Sequence, residues 1–180
     1  MRDAMVAAIN FDIFNHHCKV VRMANIAQIV NVLASVILTE GSDMILTPTY
    51  YAFHMYRHHQ GADLLHTNLT GNTDVGIKEE EQVPKITQTA SVSSDGIINL
   101  TITNVSTDQP ENVSVSMEGI SRFKVIEARI LTGKIDDYNI FEDRNVVSET
   151  DFDGYTANDG QLSIELPTCS IVLLRIEENE

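Results

Sequence analysis

At 180 residues, 43% of them apolar, the chain can form one ordinary domain or a small domain with added elements, and it is too apolar for wholesale disorder. Its 26 acidic against 12 basic side chains give a net charge of −14, which repels a phosphate backbone, and no basic stripe with interleaved aromatics offsets it, so no nucleic-acid partner is expected. The most apolar stretch, residues 26–38, is interrupted by Gln28, Asn31 and Ser35 and falls short of 18 uninterrupted residues, so no membrane partner is expected either.

The opening Met-Arg-Asp leads directly into a helix-like pattern, without the apolar core and small-residue cleavage site of a signal peptide. This leaves the compartment open. Met5, Ile9 and Ile13 recur every four residues, with Val6 and Ala8 broadening the same side, and the pattern ends around His16 to Cys18. A second helical stretch is expected over residues 23–32. Residues 30–38 are rich in β-branched and aliphatic side chains, so their end could equally be a short buried strand, and periodicity alone does not separate the two. Glu40-Gly41-Ser42-Asp43 marks a loop. A further helix opens at Thr47-Pro48, with Thr47 as the cap and Pro48 at the first helical position. Its side chains include Tyr51, Met55 and His58, and Gly61 is the expected stop.

Beyond this point the period changes to two. Ile98, Leu100 and Ile102 alternate with Asn99, Thr101 and Thr103 after the turn signal Ser94-Asp95-Gly96. Val113, Val115 and Met117 form another row, followed by Lys124, Ile126, Ala128 and Ile130 up to Gly133. Leu162, Ile164 and Leu166 form the next, closed by Pro167, and Ser170 opens the last strand. Short strands with polar positions outward predict an antiparallel sandwich. Residues 63–83 read as a linker with edge-strand character and 134–160 as a long decorated loop. Charge divides the chain at the same place, since residues 1–62 carry four acidic and four basic side chains and hold none of the net charge. Two or three helices and one short strand do not make a complete layered domain, so their apolar faces must meet the sandwich, another copy, or further chain.

Particular runs account for this mismatch. Asp3-Ala4-Met5-Val6-Ala7-Ala8, Met23-Ala24-Asn25-Ile26-Ala27-Gln28-Ile29-Val30-Asn31-Val32-Leu33, Ile37-Leu38-Thr39-Glu40-Gly41 and Leu46-Thr47-Pro48-Thr49-Tyr50-Tyr51 resemble, in order, the C-terminal portion of glycoside hydrolase family 51 α-L-arabinofuranosidases. Tyr138-Asn139-Ile140-Phe141-Glu142-Asp143 is similar to that family's His-Asn-Thr-Phe-Glu-Asn/Asp segment, with Tyr138 and Ile140 as departures. Leu166-Pro167-Thr168-Cys169-Ser170-Ile171 is similar to its Leu-Pro-Pro-Tyr-Ser-Val ending.

The resemblance implies a mainly β chain. Residues 1–62 would be final elements of a truncated (β/α)8 catalytic barrel, and residues 63–180 a C-terminal antiparallel jelly-roll-like β-sandwich. It implies a retaining hydrolase that releases terminal α-L-arabinofuranosyl residues from arabinose-containing glycans with two carboxylates roughly 5 Å apart. In the family both are glutamates on earlier barrel strands, so no catalytic residue is assigned here and the chain alone is expected to be inactive. Glu40 is read as a loop residue. Gln28 is assigned to substrate binding by resemblance, because a side-chain amide offers sugar hydroxyls both donor and acceptor; its residue type alone fits a helix-interior glutamine satisfied by backbone. Asn25 and Asn31 are read as packing residues or supports behind the sugar contact.

No cofactor or metal is expected. His54 and His58 could share a helix face, but no nearby carboxylate completes a ligand set. Ser42 with His54 does not establish a nucleophile and base. Cys18 and Cys169 are expected to be small buried hydrophobes. Asn-x-Ser/Thr matches begin at Asn68, Asn99, Asn104 and Asn112. Homo-oligomers are one way to cover the helical faces. The alternative function is a non-catalytic carbohydrate-binding or assembly module, which the absence of Trp weakens.

Overall fold

The alternating rows pair as antiparallel ladders. The structure is a computed structural model describing residues 1–26, 28–158 and 160–179. Its first half holds helix α1 (Arg2–His16), strands β1 (Ile37–Glu40) and β2 (Asp43–Leu46), helix α2 (Pro48–Tyr56), and short strands β3 (Asp63–Leu64), β4 (Asp74–Val75) and β5 (Val83–Pro84). The second half is β6 (Ile86–Val92), β7 (Ile98–Asn104), β8 (Glu111–Ser116), β9 (Phe123–Thr132), β10 (Thr150–Asp151), β11 (Tyr155–Asn158), β12 (Gln161–Leu166) and β13 (Ser170–Glu178). A six-stranded sheet, ordered β10-β9-β13-β7-β6-β3, packs on a three-stranded sheet, β11-β12-β8, while β1–β2 and β4–β5 form separate ribbons. Both main sheets are open. The fold is mainly β and antiparallel, as expected.

The core between the sheets is built from the rows read in the sequence. Ile98, Leu100 and Ile102 of β7 and Leu162, Ile164 and Leu166 of β12 meet Val172, Leu174 and Ile176 of β13. Full burial of each such side chain is worth roughly 1.5–3 kcal/mol. The row Lys124–Ile126–Ala128–Ile130 is corrected. Opposite β9 the register of β13 shifts between Arg175, which pairs with Glu127, and Ile176, which pairs with Val125. The extra residue, Ile126, is 43% exposed, and the bulge changes the phase so that Phe123 and Val125 face the core before it and Ala128 and Ile130 after it.

The other face of β13 carries Ile171 and Leu173, which pack with Leu131 and Val147 under the helices. The helical layer lies there. Along α1 the buried stripe is Ala4, Met5, Ala8 and Asp12, so the expected Met5–Ile9–Ile13 side is rotated; Val6 and Ile13 are 53% and 49% exposed. Small alanines allow close approach of α1 to α2, where Ala52 and Met55 are fully buried. Phe11 seals the pair edge-on against Phe53, with ring centroids 4.6 Å apart.

The helix expected over residues 23–32 is absent: residues 21–26 and 28–36 form no helix or strand, and Val30 makes only an isolated parallel bridge to Ile37. Ala27 lies outside the described residues. Left-handed φ at Gln28 (45°) and Asn31 (55°) is incompatible with a continuing α-helix. Thr47 occupies the N-cap position of α2, but its hydroxyl donates to the carbonyls of Ser35 (2.8 Å) and Val36 (3.1 Å) and makes no cap bond. Cys18 is exposed; Cys169 is buried as expected. Asn99 and Asn104 are fully buried, which removes both as glycan acceptors in the folded chain.

The polar rows that read as outward are covered. Thr89, Ser91, Asn99, Thr101 and Thr103 lie beneath the helical layer and are no more than 2% exposed. Their hydroxyls need partners in this dry layer. Asp12 Oδ1 accepts from Thr89 Oγ1 at 2.6 Å and from the Tyr56 hydroxyl at 2.9 Å. His59 bonds Ser91 through Nδ1 (2.7 Å) and Thr101 through Nε2 (2.8 Å). Burial raises the Asp12 pKa from 3.8 to about 6, moderated by the hydroxyls of Thr87, Thr89 and Tyr56. Thr87 Oγ1 and Asp12 Oδ2 fall outside hydrogen-bond geometry with any described partner, so Thr87 acts there as a nearby dipole. Burial, then the charge of His58, lowers the His59 pKa from 6.5 to about 4.

These two shifts oppose each other in pH. The Asp12 contribution to stability is fully present below pH 3.8 and is lost as pH rises through about 6, because the folded state holds a proton that the unfolded chain sheds. The His59 contribution is fully present above pH 6.5 and is lost as pH falls through about 4. Each spans about 3 kcal/mol, so they largely cancel in the native chain. Relative to wild type, Asp12→Asn should lose stability as pH falls from about 6 to 3.8, and His59→Gln as pH rises from about 4 to 6.5. Urea midpoints measured across pH 4–7 check this, and variant profiles parallel to wild type would refute it.

Candidate functional site

The chain between α1 and β1 carries Gln28, the residue assigned to substrate. It is exposed, and its backbone is left-handed. Anchors flank it on both sides. Ile26 and Ile29 line an apolar hollow of about 290 Å³ whose other walls are Val36 and Tyr50, Phe53 and His54 of α2. The Ile29 carbonyl accepts from the amides of Val36 (3.0 Å) and Ile37 (3.1 Å). Asn31 ties the same segment to β1: its Nδ2 donates to Thr39 Oγ1 (2.9 Å) and the Thr39 carbonyl (3.1 Å), and its Oδ1 accepts from the Thr39 amide (2.7 Å). The structure thus presents Gln28 to solvent between apolar and polar attachments.

Behind it, the β1–β2 hairpin turns at Gly41-Ser42. Glu40 is the exposed last residue of β1, paired in register with Asp43. A second attachment comes from Asn139, buried to 4% exposure in the Tyr138–Asp143 motif. Its Nδ2 donates to the carbonyls of Leu46 and Val147, and its Oδ1 accepts from the Val147 amide, each at 2.8 Å. Both motif departures are on the outside, with Tyr138 67% and Ile140 40% exposed. The asparagine is the member that the fold uses.

An ionic cluster that the sequence reading missed holds α2 from the sandwich side. The Glu149 side chain, 6% exposed, accepts from Arg129 Nε at 2.9 Å and pairs with His54 Nδ1 at 2.6 Å; Arg129 also pairs with Asp151. His54 stacks on Tyr50 with 12° between planes. The separation of 95 positions between His54 and Glu149 explains why no local spacing revealed the pair. His54 and His58 therefore do not act together: His58 Nε2 is buried without a bond, and burial followed by the charge of Arg57 lowers its pKa. Among the described residues no group of three or more His, Cys, Asp and Glu side chains is arranged to hold a metal ion. Likewise, no described helix is long and apolar enough to cross a membrane.

The order of elements that builds this site is matched from residue 1 to residue 170 by the model of the α-L-arabinofuranosidase C-terminal domain. The chain belongs to that family. An intracellular exo-α-L-arabinofuranosidase of Bacteroides ovatus is 38% identical over 177 residues, which is 98% of this chain and 34% of that protein. The crystal structure of the GH51 arabinofuranosidase from Xanthomonas axonopodis pv. citri superposes with a TM-score of 0.88 at 38% identity, covering 97% of this chain and 35% of the other. A family 51 α-L-arabinofuranosidase from Bifidobacterium longum shares the fold, with a TM-score of 0.83 at 21% identity over 97% of this chain and 34% of that one. This arabinofuranosidase domain spans about a third of the length of the relatives it matches.

Within the domain, Asn139→Ala strands the Val147 amide and two carbonyls in a dry setting. It should cost about 3 kcal/mol of unfolding free energy. Chemical denaturation measures this, and a loss below about 1 kcal/mol would show that the hairpin does not depend on Asn139.

Proposed function

We propose that this chain is the C-terminal part of a retaining exo-acting α-L-arabinofuranosidase that hydrolyses terminal α-L-arabinofuranosyl residues of arabinose-containing glycans. Residues 1–62 contribute the last elements of its (β/α)8 barrel and residues 63–180 its sandwich. The observation that carries this reading is the segment joining α1 to β1. Val20 is 77% exposed, Met23 78%, Ile29 56% and Leu33 97%, and residues 21–26 have no regular structure. An apolar, β-branched stretch left in water without a ladder is the form expected of a strand whose neighbours belong to another part of the protein. The exposed Val6 and Ile13 of α1 extend the same unpartnered surface. The relatives are nearly three times as long, which leaves chain enough for such a covering part.

In this reading Gln28 contacts the sugar and the hydrolytic carboxylates lie elsewhere in the enzyme. The most enclosed carboxylates here are engaged structurally, Asp12 by Thr89 and Tyr56, and Glu149 by Arg129 and His54.

Purified residues 1–180 should release no nitrophenol from a nitrophenyl α-L-arabinofuranoside. Turnover that survives further purification would refute the assignment of the catalytic pair to the rest of the enzyme. In the full-length enzyme Gln28→Ala should lower kcat/KM on the order of tenfold or more without changing the melting of the sandwich. Unchanged kcat/KM would remove Gln28 from the site.

A further inference from the structure

Left-handed backbone at non-glycine residues is gathered within one short segment. Gln28, Asn31 and Ala34 have φ of 45°, 55° and 56°, and the other such residue described is Cys169. This conformation costs of order 1–3 kcal/mol at a non-glycine residue and persists where surrounding bonds over-determine it. At Asn31 the bonds are present. Its amide donates to the Ile37 carbonyl at 3.1 Å, and its side chain closes three further bonds onto Thr39.

We propose that Asn31 is a positioning residue for substrate recognition, fixing through its clamp on Thr39 the backbone that displays Gln28. This rests on the Gln28 reading above. The residue type follows from the geometry. One side chain must accept from the Thr39 amide and donate to the Thr39 carbonyl and hydroxyl, while its own backbone sits in the left-handed region. Asparagine meets both conditions. An ionised aspartate lacks the donor, and serine lacks the two-sided amide. The clamp is needed because the apolar attachments are incomplete: Ile29 is 56% exposed and its hollow is open on one side. Only Ile29 and Val30 separate Gln28 from Asn31, so rotation of the peptides between them would move the glutamine amide by more than a hydrogen bond tolerates. Misplacement of that size costs far more rate than the lost clamp costs stability.

The test is a double-mutant cycle in the full-length enzyme, with Asn31→Gly, Gln28→Ala and the pair. Glycine takes the left-handed φ without strain, so Asn31→Gly removes the clamp alone. Asn31→Gly should lower kcat/KM on the order of tenfold, through the same parameter, kcat or KM, that Gln28→Ala changes. In the double variant it should add little to the loss from Gln28→Ala. Hydrogen exchange on residues 1–180 should show faster exchange at the amides of Ile37 and Thr39 in Asn31→Gly, with the sandwich core unchanged. If Gln28→Ala leaves activity intact, the Gln28 reading fails and the positioning role with it. If Gln28→Ala is damaging but Asn31→Gly is not, or the two losses are fully additive, Gln28 stands and the positioning role is overturned. Unchanged exchange would show that the clamp does not hold this segment.

Discussion

The constraint on which the structure depends is that the middle of the six-stranded sheet, β7 and most of β13, is dry on both faces. One face forms the sandwich core with Leu162, Ile164 and Leu166, and the other lies under α1 and α2. Beneath the helices the sheet changes character across its width. Ile171 and Leu173 offer an apolar floor to Met5 and Met55, whereas β6 and β7 offer hydroxyls and an amide. Hydrophobic contact alone cannot cover that second half, because each unbonded hydroxyl there would cost about 1–3 kcal/mol. The helical layer answers with Asp12, Tyr56 and His59, polar groups at the sites where the apolar floor ends. The match fixes how the helices sit on the sheet. A shift that kept the apolar contacts would still leave these hydroxyls unbonded.

The same feature limits what could be read from the sequence. Alternation in β7, β8 and β12 placed the core rows and the sandwich correctly, because apolar positions at period two record which side faces a core. It did not show that the polar side was covered as well. Thr101 and Thr103 look the same in sequence whether water or Tyr56 supplies the partner. For α1 the error has a related origin. Large side chains at Met5, Ile9 and Ile13 suggested the buried face, yet α2 requires the small face of Ala4 and Ala8, and Asp12 belongs to the interior only because Thr89 and Tyr56 are brought to it by tertiary structure. The bulge at Ile126 was hidden because its extra residue is apolar and leaves no break in the pattern.

The candidate site was partly legible for a different reason. Gln28 and the Asn139 motif were found from an ordered resemblance, which records family constraints that period and propensity do not. The resemblance named these residues by position along the chain, while the conformation of the segment that carries Gln28 was not legible. A helix over 23–32 follows naturally from the spacing of Met23, Ile26 and Val30, and it fails because Gln28 and Asn31 adopt left-handed φ, with Ile29 and Asn31 bonded to Ile37 and Thr39 of β1. The His54–Glu149–Arg129 cluster left no trace in any local window, since its members come from α2, β9 and the turn before β10.

These attachments form a continuous mechanical path from the sandwich to Gln28. Arg129 on β9 holds Glu149, and Glu149 holds His54 on α2. Asn139 fastens the end of β2 to Val147, and Thr47 ties the start of α2 to Ser35 and Val36. Thr39 on β1 then receives Asn31. Each link is a polar bond to backbone or to a side chain, so it specifies direction as well as distance, which hydrophobic contact does not. The sandwich can therefore influence the placement of Gln28 from a distance. It supplies a fixed frame for a segment whose own apolar packing is too open, and whose backbone is too strained, to hold one conformation unaided.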